Sequence, residues 1–316
     1  MSDLPNNIDI PYEVQQKAEH RGRAGLDWLN ALPVLTSELS KEWNLSIGEA
    51  LTGGTEGFVV RAITATGQDV VIKLEIPSDD FSRGVRLLES ANGRGYVKLL
   101  NYDENRYAVM LEALGPALTE SGLASIDQIE VLCKTLQNAW TVPLDRAPTL
   151  VEAKGKAQDL REMIVQLDKK LDHGCSRNVI TMALDLSTHR ITDASPDNCV
   201  IVHGDPHPAN SLQVREERPG SESGYVFIDP DGFLCERAYD LGVVLRDWSS
   251  EVLSVGGIDK LRDYCHKMSF LTGVSEKAVW EWGYVERVST GLYALDHGLY
   301  EMAKPFLDSA EKIATS

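Results

Sequence analysis

The sequence has few features of a secreted protein, a membrane protein or a protein with a structural metal site. Its five cysteines are scattered and odd in number, without a C-x-x-C pair, which argues against a disulfide framework and against a zinc site. No apolar run approaches the ~18 residues of a membrane span, and the polar start predicts no secretory signal. We therefore expect a reducing, cytoplasmic location.

Positive charge is also scarce. The chain carries 31 Lys and Arg against 48 Asp and Glu, which gives a net charge of −17. Nucleic acid is a poor partner for such a surface, because phosphate binding needs clusters of Lys and Arg. A cationic small molecule is a good partner, since an acidic surface raises its local concentration, although acidity can equally serve solubility alone. The oligomeric state is left open between a monomer and a homodimer.

A glycine-rich segment lacks the lysine of a Walker loop. Gly53-Gly54-Thr55-Glu56-Gly57 lies between strand-like segments, and no Gly-Lys-Ser/Thr follows it. Glycines let a backbone approach phosphates closely, but an ordinary hairpin turn is the alternative interpretation. Lys73 follows 16 to 20 residues later, at the end of an apolar strand. A lysine facing a cleft needs an anionic partner, which nucleotide phosphates would supply.

Two short strand-and-loop segments carry the most informative side chains. Val202 to Asn210 contains His203-Gly204-Asp205, and Asn210 follows Asp205 by five positions. The apolar run Tyr225 to Ile228 then ends at Asp229. This is the spacing of the protein-kinase layout, in which an Asp takes the substrate proton while a later Asn and Asp hold Mg²⁺. Mg²⁺ prefers hard oxygen ligands of this kind.

The hydrophobic pattern changes along the chain. A helical lead-in from about Tyr12 to Trp43, interrupted at Pro33, precedes a small set of strands and a helix that Ser78 caps. After Gly115-Pro116 the pattern is mainly helical. We predict an α+β, bilobal fold with a small β-rich N-terminal lobe (residues 1–112) and a larger, mainly helical C-terminal lobe (residues 113–316). The cleft would lie near Glu112-Ala113-Leu114.

Taken together, these residues resemble the aminoglycoside phosphotransferases, which share the bilobal fold of protein kinases. Within them, the chain is most similar to the streptomycin/hydroxyurea resistance kinases. Five landmarks carry the resemblance: Trp28-Leu29 to Trp43, Asn92-Gly93-Arg94-Gly95 before Val97-Lys98-Leu99-Leu100, His203-Gly204-Asp205 to Asn210, Ile228-Asp229-Pro230-Asp231-Gly232, and Ala238-Tyr239-Asp240-Leu241 with Leu245-Arg246.

The resemblance implies ATP-dependent O-phosphorylation of an aminoglycoside, with the streptomycin 6-hydroxyl as the best single candidate. It implies that Asp205 is the catalytic base and that Asn210 and Asp229 are Mg²⁺ ligands. It further implies nucleotide contacts, which would come from Lys73, Gly53, Gly54 and the segment Glu112 to Leu114. His203 and Asp240 are expected to support the catalytic loop, with Asp240 binding its backbone.

Two parts of the site are less readable. The family usually has a Glu on the helix after the lysine, and the acid that pairs with Lys73 is left open among Asp79, Asp80 and Glu89. An amino or guanidino sugar needs carboxylates and aromatic rings in the cleft. Candidates from the helical lobe are Asp231, Glu236, Asp247, Trp248, Trp282, Tyr284, Glu286 and Asp296.

Three other functions are alternatives to this one. A related kinase could act on a fructosamine, choline or hydroxyurea-type substrate. A metallophosphoesterase would need an early Asp-x-His and a Gly-Asn-His, and the chain has neither. A non-catalytic pseudokinase is disfavoured, because Lys73, Asp205, Asn210 and Asp229 are all retained.

Overall fold

The computed structural model of the chain describes residues 10–52, 57–78, 80–143 and 153–316. The chain begins with helices α1 (Tyr12–His20) and α2 (Gly22–Glu42). The expected break at Pro33 was wrong, because Pro33 lies inside α2, and the chain turns instead at Gly22, whose φ is +64°. Burial of Leu32 and Leu39 on one face of α2 offsets the cost of about 3 kcal/mol that an interior proline imposes.

A five-stranded antiparallel sheet follows the two helices. Its strands, in chain order, are β1 (Leu45–Leu51), β2 (Gly57–Thr64), β3 (Asp69–Glu75), β4 (Leu99–Asp103) and β5 (Ala108–Glu112), and they lie in the order β1-β2-β3-β5-β4. Strand β3 is central, so Lys73 is paired with Val59 on one side and Val109 on the other. The sheet therefore holds the backbone of Lys73 from both sides.

The sheet has two different faces. Ile72 and Leu74 pack with α2 in a smaller core that also contains Phe58. Lys73 points to the opposite face, since successive side chains of a strand alternate. On that face Val109 joins the larger core of the protein. The alternation thus places Lys73 toward the C-terminal part of the chain.

One helix connects strand β3 to strand β4. Helix α3 (Phe81–Ala91) begins three residues after Ser78, so the predicted cap was misplaced. Asp80 occupies the N-cap position and its carboxylate pairs with Arg83 at 2.9 Å. Val85 and Leu88 of α3 are buried in the larger core. The proposed lobe boundary at residue 112 stays a prediction.

The remainder is mainly helical, with two small strand pairs. The helices are α4 (Ser125–Ala139), α5 (Ala153–Lys170), α6 (Arg177–Asp193), α7 (Arg237–Arg246), α8 (Ser249–Leu253), α9 (Gly257–Thr272), α10 (Glu276–Asp296) and α11 (Tyr300–Ala314). Strands β6 (Cys199–Val202) and β9 (Phe233–Glu236) pair, as do β7 (Ser211–Gln213) and β8 (Tyr225–Phe227). Helices α10 and α11 are separated near Gly298, whose φ is +72°.

Within the described ranges, no helix combines the length and the apolarity needed to cross a bilayer.

Candidate active site

A buried aspartate holds the loop that follows β6. Asp240 lies in the first turn of α7 and accepts hydrogen bonds from the backbone N–H groups of His203 and Gly204, each at 3.0 Å. The indole of Trp140 donates to the same carboxylate at 2.8 Å. Burial raises the pKa of Asp240 to about 6, against the opposing effect of these three donors. Asp240 thus has the loop contacts expected of it.

His203 joins this loop to the strand that leads to Asp229. Its Nδ1 accepts the N–H of Asp205 at 3.1 Å, so Nε2 carries the proton and donates to the carbonyl of Ile228 at 2.9 Å. Burial lowers the pKa of His203 to about 4. The imidazole is therefore neutral near pH 7, and its tautomer follows from its two partners.

Asp205 is an ionised carboxylate that lies between Arg246 and His207. Arg246 donates from Nη2 to Oδ1 at 2.5 Å, and Nε2 of His207 lies 3.3 Å from Oδ2. Burial would raise the pKa of Asp205, but the hydrogen bond from His207 and the charge of Arg246 outweigh it and hold that pKa well below its usual range. In return Asp205 raises the pKa of His207, against burial. The carboxylate is thus oriented and is a weak base.

Arg246 is itself held from helix α10. Its Nη1 donates to Glu286 at 2.9 Å and to Thr290 at 3.2 Å. Sequence reasoning assigned neither Arg246 nor His207 a role in the site. The available signals were the position of His207 inside the Asp205 loop and of Arg246 in a family landmark. Glu286, a substrate candidate, instead binds this arginine.

Asn210 and Asp229 present oxygen atoms beside the same loop. The side-chain nitrogen of Asn210 donates to the backbone carbonyl of Asp205 at 3.1 Å, which leaves the side-chain oxygen of Asn210 for another partner. Asp229 has a φ of +53°, in the left-handed region. The backbone N–H of Ile228, the residue before it, donates to the backbone carbonyl of Asn210 at 2.9 Å. An amide oxygen and a carboxylate suit Mg²⁺, which completes its shell with water and phosphate oxygens.

Lys73 reaches this group from the sheet. Its ammonium lies 2.8 Å from Oδ1 of Asp229 and 3.1 Å from Oε1 of Glu75. Burial lowers the pKa of Lys73, but the two carboxylates outweigh it and hold that pKa above its usual value. Two of the three acids predicted as possible partners of Lys73 were wrong, because Asp80 pairs with Arg83 and Glu89 hydrogen-bonds Tyr102. Asp79 lies outside the described residues, as do Gly53 and Gly54.

Glu112 braces the connection after β5. Its carboxylate accepts the N–H of Lys98 at 2.8 Å and forms a two-point ion pair with Arg218. Arg218 also donates to the carbonyls of Gly93 and Tyr96, at 3.3 and 3.2 Å. Arg218 therefore fixes this connection. Leu114 follows as a buried residue.

Among the substrate candidates, Asp231 lies beside the Asp205 loop. Gly204 has a φ of +98°, and a Cβ at this position would lie 2.6 Å from the Asp231 side chain. Part of Asp231 remains open to solvent. Desolvation by the surrounding protein, together with the charge of Asp205, raises the pKa of Asp231 to about 6. Asp247 is half-buried beside Arg246 at 3.6 Å, and burial raises its pKa.

The other candidates have different partners. Glu236 accepts the indole N–H of Trp282 at 2.7 Å and pairs with Arg190 at 3.3 Å. Tyr284 is buried and donates its hydroxyl to the carbonyl of Ala310 at 3.2 Å. Asp296 pairs with Lys170 at 2.7 Å, and Trp248 packs edge-on against Tyr264. These contacts give no support for a substrate role of Glu236, Trp282, Tyr284 or Asp296, and leave Trp248 untested.

Comparisons with known proteins identify the family. A family model described as aminoglycoside/hydroxyurea antibiotic resistance kinase matches residues 42–298. The streptomycin 6-kinase of Streptomyces glaucescens is 24% identical over 298 residues, which cover 92% of each chain. A hydroxyurea phosphotransferase of Kitasatospora aureofaciens is 24% identical over 269 residues, or 81% of this chain and 76% of that protein.

Solved structures agree on the fold. Aminoglycoside phosphotransferase APH(4)-Ia, as a ternary complex with ADP and hygromycin B, aligns with a TM-score of 0.64 at 11% identity, covering 88% of this chain and 97% of that one. Aminoglycoside 2′-phosphotransferase-IIIa, in a GDP complex, aligns with a TM-score of 0.61 at 14% identity, covering 89% and 97%. The predicted α+β, protein-kinase-like fold is confirmed. With most of its length matched by the family model, the chain belongs to the aminoglycoside/hydroxyurea antibiotic resistance kinases.

Proposed function

We propose that this kinase transfers the γ-phosphoryl group of ATP, with Mg²⁺, to an aminoglycoside, and that the 6-hydroxyl of streptomycin is its acceptor. One observation carries the proposal: hydrogen bonds through His203 tie the loop of Asp205 and Asn210 to the backbone of Ile228, the residue before Asp229. The proposal is supported by the 92% coverage of the streptomycin 6-kinase relative and by the ADP bound to the APH(4)-Ia neighbour.

In this proposal Asp205 orients the acceptor hydroxyl. Arg246 holds Oδ1, so the carboxylate stays ionised and fixed in direction. The acceptor oxygen forms a bond to the γ-phosphorus as the bond to the ADP oxygen breaks, and the hydroxyl proton passes to Asp205. Because the pKa of Asp205 is low, this proton moves late, as the loose transition state of phosphoryl transfer allows. Positioning supplies most of the rate.

The remaining residues would bind the nucleotide. Asn210 and Asp229 would hold Mg²⁺, which when bound neutralises charge on the β- and γ-phosphates. Lys73 would then turn its ammonium from Asp229 toward the α- and β-phosphates. Residues Glu112 to Leu114 would present backbone groups to adenine, on a connection that Arg218 keeps rigid. Gly53 and Gly54 remain predicted phosphate contacts.

A cationic acceptor suits the carboxylates near Asp205. Asp231 and Asp247 are the two we retain, because neither forms an ion pair with a described residue closer than the 3.6 Å contact between Asp247 and Arg246. An amino or guanidino group of an aminoglycoside can bind such carboxylates through charge-assisted hydrogen bonds. The cytoplasmic location and the monomeric or dimeric state remain predictions.

Hydroxyurea is the second candidate acceptor. It is favoured by the hydroxyurea phosphotransferase relative, which matches 81% of this chain. Hydroxyurea is small and uncharged, so its binding would not depend on Asp231 or Asp247. An Asp231→Asn variant therefore separates the two acceptors: it should weaken streptomycin turnover and leave hydroxyurea turnover unchanged.

The test is ATP consumption by the purified protein with Mg²⁺ and a panel of streptomycin, other aminoglycosides and hydroxyurea. The control is Asp205→Ala, which we expect to bind ATP but not to turn over. Phosphorus NMR of the product would locate the phosphorylated hydroxyl. Streptomycin-dependent turnover that survives in Asp205→Ala would refute the assigned base. ATP binding without turnover on any acceptor would favour the pseudokinase alternative.

A further inference from the structure

Among the described residues, Lys73 has two carboxylate partners of different origin. Asp229 comes from the loop after β8, 156 residues away in sequence, whereas Glu75 lies two residues further along β3. The Lys73 side chain is only 8% exposed, so its ammonium depends on these partners. Asp229 is also the proposed Mg²⁺ ligand. When its oxygens bind a cation, Glu75 is the carboxylate within residues 57–78 and 80–143 that still contacts Lys73.

Helix α3, the element that follows the lysine strand, offers no replacement. Its side toward the Asp229 loop carries Arg83, which donates to the carbonyl of Asp231 at 2.7 Å, and Gly84, where a Cβ would lie 3.8 Å from the carbonyl of Pro230. The one acid of α3 is Glu89, and it hydrogen-bonds Tyr102. The helix therefore approaches the nucleotide site without presenting a carboxylate to Lys73.

We propose that Glu75 is the residue that positions Lys73 for nucleotide binding, in place of a carboxylate on helix α3. This inference rests on the proposed kinase function of the same site. Side chains at positions 73 and 75 share a face of β3 because a strand alternates with a period of two. The end of the strand is fixed, since the Glu75 N–H donates to the Tyr107 carbonyl at 2.8 Å.

One consequence is that the position of Lys73 does not depend on how α3 is oriented. Lysine and carboxylate belong to one strand in the middle of the sheet, so a shift of α3 leaves their contact unchanged. A second consequence concerns the metal. Without Glu75, Asp229 would be the carboxylate left to Lys73 in the part of the chain that the structure describes, and Lys73 would compete with Mg²⁺ for it.

The test is Glu75→Gln, compared with two matched variants. Glu49→Gln removes a carboxylate from the same sheet, where Glu49 pairs with Arg61 at 3.3 Å on the surface. Glu89→Gln removes the acid of α3. The readout is calorimetric binding of a non-hydrolysable ATP analogue over a range of Mg²⁺ concentrations, with thermal melting to verify folding. A Glu75→Asp variant, which keeps the charge, replaces Glu75→Gln if that protein does not fold.

We expect Glu75→Gln to weaken Mg²⁺-dependent nucleotide binding about ten- to a hundredfold, the range for a lost hydrogen bond to a charged group. The Mg²⁺ concentration for half-maximal binding should also rise, which a general loss of stability would not produce. Glu75→Asp should fall between Glu75→Gln and wild type. Glu49→Gln and Glu89→Gln should match wild type.

Equal binding by Glu75→Gln and wild type would overturn the assignment, as would an equal loss in Glu89→Gln. These results are distinct from a failure of the proposed function. That failure would be the absence of turnover with every acceptor in a wild-type protein that still binds the nucleotide, and the binding comparison among the variants would remain valid.

Discussion

Replacing Arg246 by Met should affect both stability and pH dependence, because this side chain joins the catalytic loop to helix α10. In the structure it donates to Asp205 at 2.5 Å and to Glu286 at 2.9 Å. Glu286 is 5% exposed in its side chain, so Arg246→Met leaves a buried carboxylate without its counter-charge. Breaking a buried ion pair in this way costs about 3–5 kcal/mol of unfolding free energy. We expect a correspondingly lower melting temperature.

The same change should alter the chemistry in a direction that can be worked out. In the native protein His207 and Arg246 hold the pKa of Asp205 below its usual range, against burial. Without Arg246, burial is opposed by fewer charges, so the pKa of Asp205 rises. The carboxylate must be ionised to orient the hydroxyl, so activity will be lost at a higher pH as the solution is acidified. The loss of one charge-assisted bond also predicts a fall in kcat of about tenfold or more.

The assay is kcat and kcat/KM for the acceptor as a function of pH. The matched control is Arg262→Met, since Arg262 is exposed and pairs with Asp259 one turn away in α9. We expect the control to keep the native profile. An Arg246→Met enzyme with the native acidic limb and an unchanged kcat would refute the role given to Arg246.

Three further predictions concern the loop around His203. Asp205→Asn should reduce turnover to the background level without changing ATP binding, because only the proton acceptor is lost; isotope-labelled ATP measures both, and normal turnover would contradict the assignment. Stability should fall by about 3 kcal/mol as the pH drops from 6.5 toward 4, since the pKa of His203 is lowered to about 4 in the folded state and the unfolded state takes up the proton first. Denaturant unfolding of His203→Gln should not show this fall in stability with pH. An identical pH dependence in the variant and the wild type would contradict the role given to His203. Trp140→Phe should cost about 1–2 kcal/mol in denaturant unfolding, because Asp240 loses its indole donor; no change would show that water replaces the indole.

Short-range relations in the chain were predictable. The interval between Asp205 and Asn210, and the position of Asp229 at the end of an apolar run, are readable because a strand followed by a tight loop is a local structure. The side of β3 that Lys73 occupies follows from strand alternation. By contrast, the break expected at Pro33 did not occur, since the burial of Leu32 and Leu39 overrides the local preference of proline.

The sequence by itself determined the fold class and the residue types of the site, because hydrophobic period and motif spacing are properties of neighbouring residues. Tertiary structure alone decided which charges meet. Arg246 and Asp205 are 41 residues apart, and Arg218 and Glu112 are 106 apart. No periodicity relates positions so distant, and their contact depends on how the helices and the sheet pack. The proposal that Glu75, and not the acid of α3, positions Lys73 also depends on tertiary structure. It required knowing that α3 turns Gly84, and not a carboxylate, toward the loop of Asp229 and Pro230.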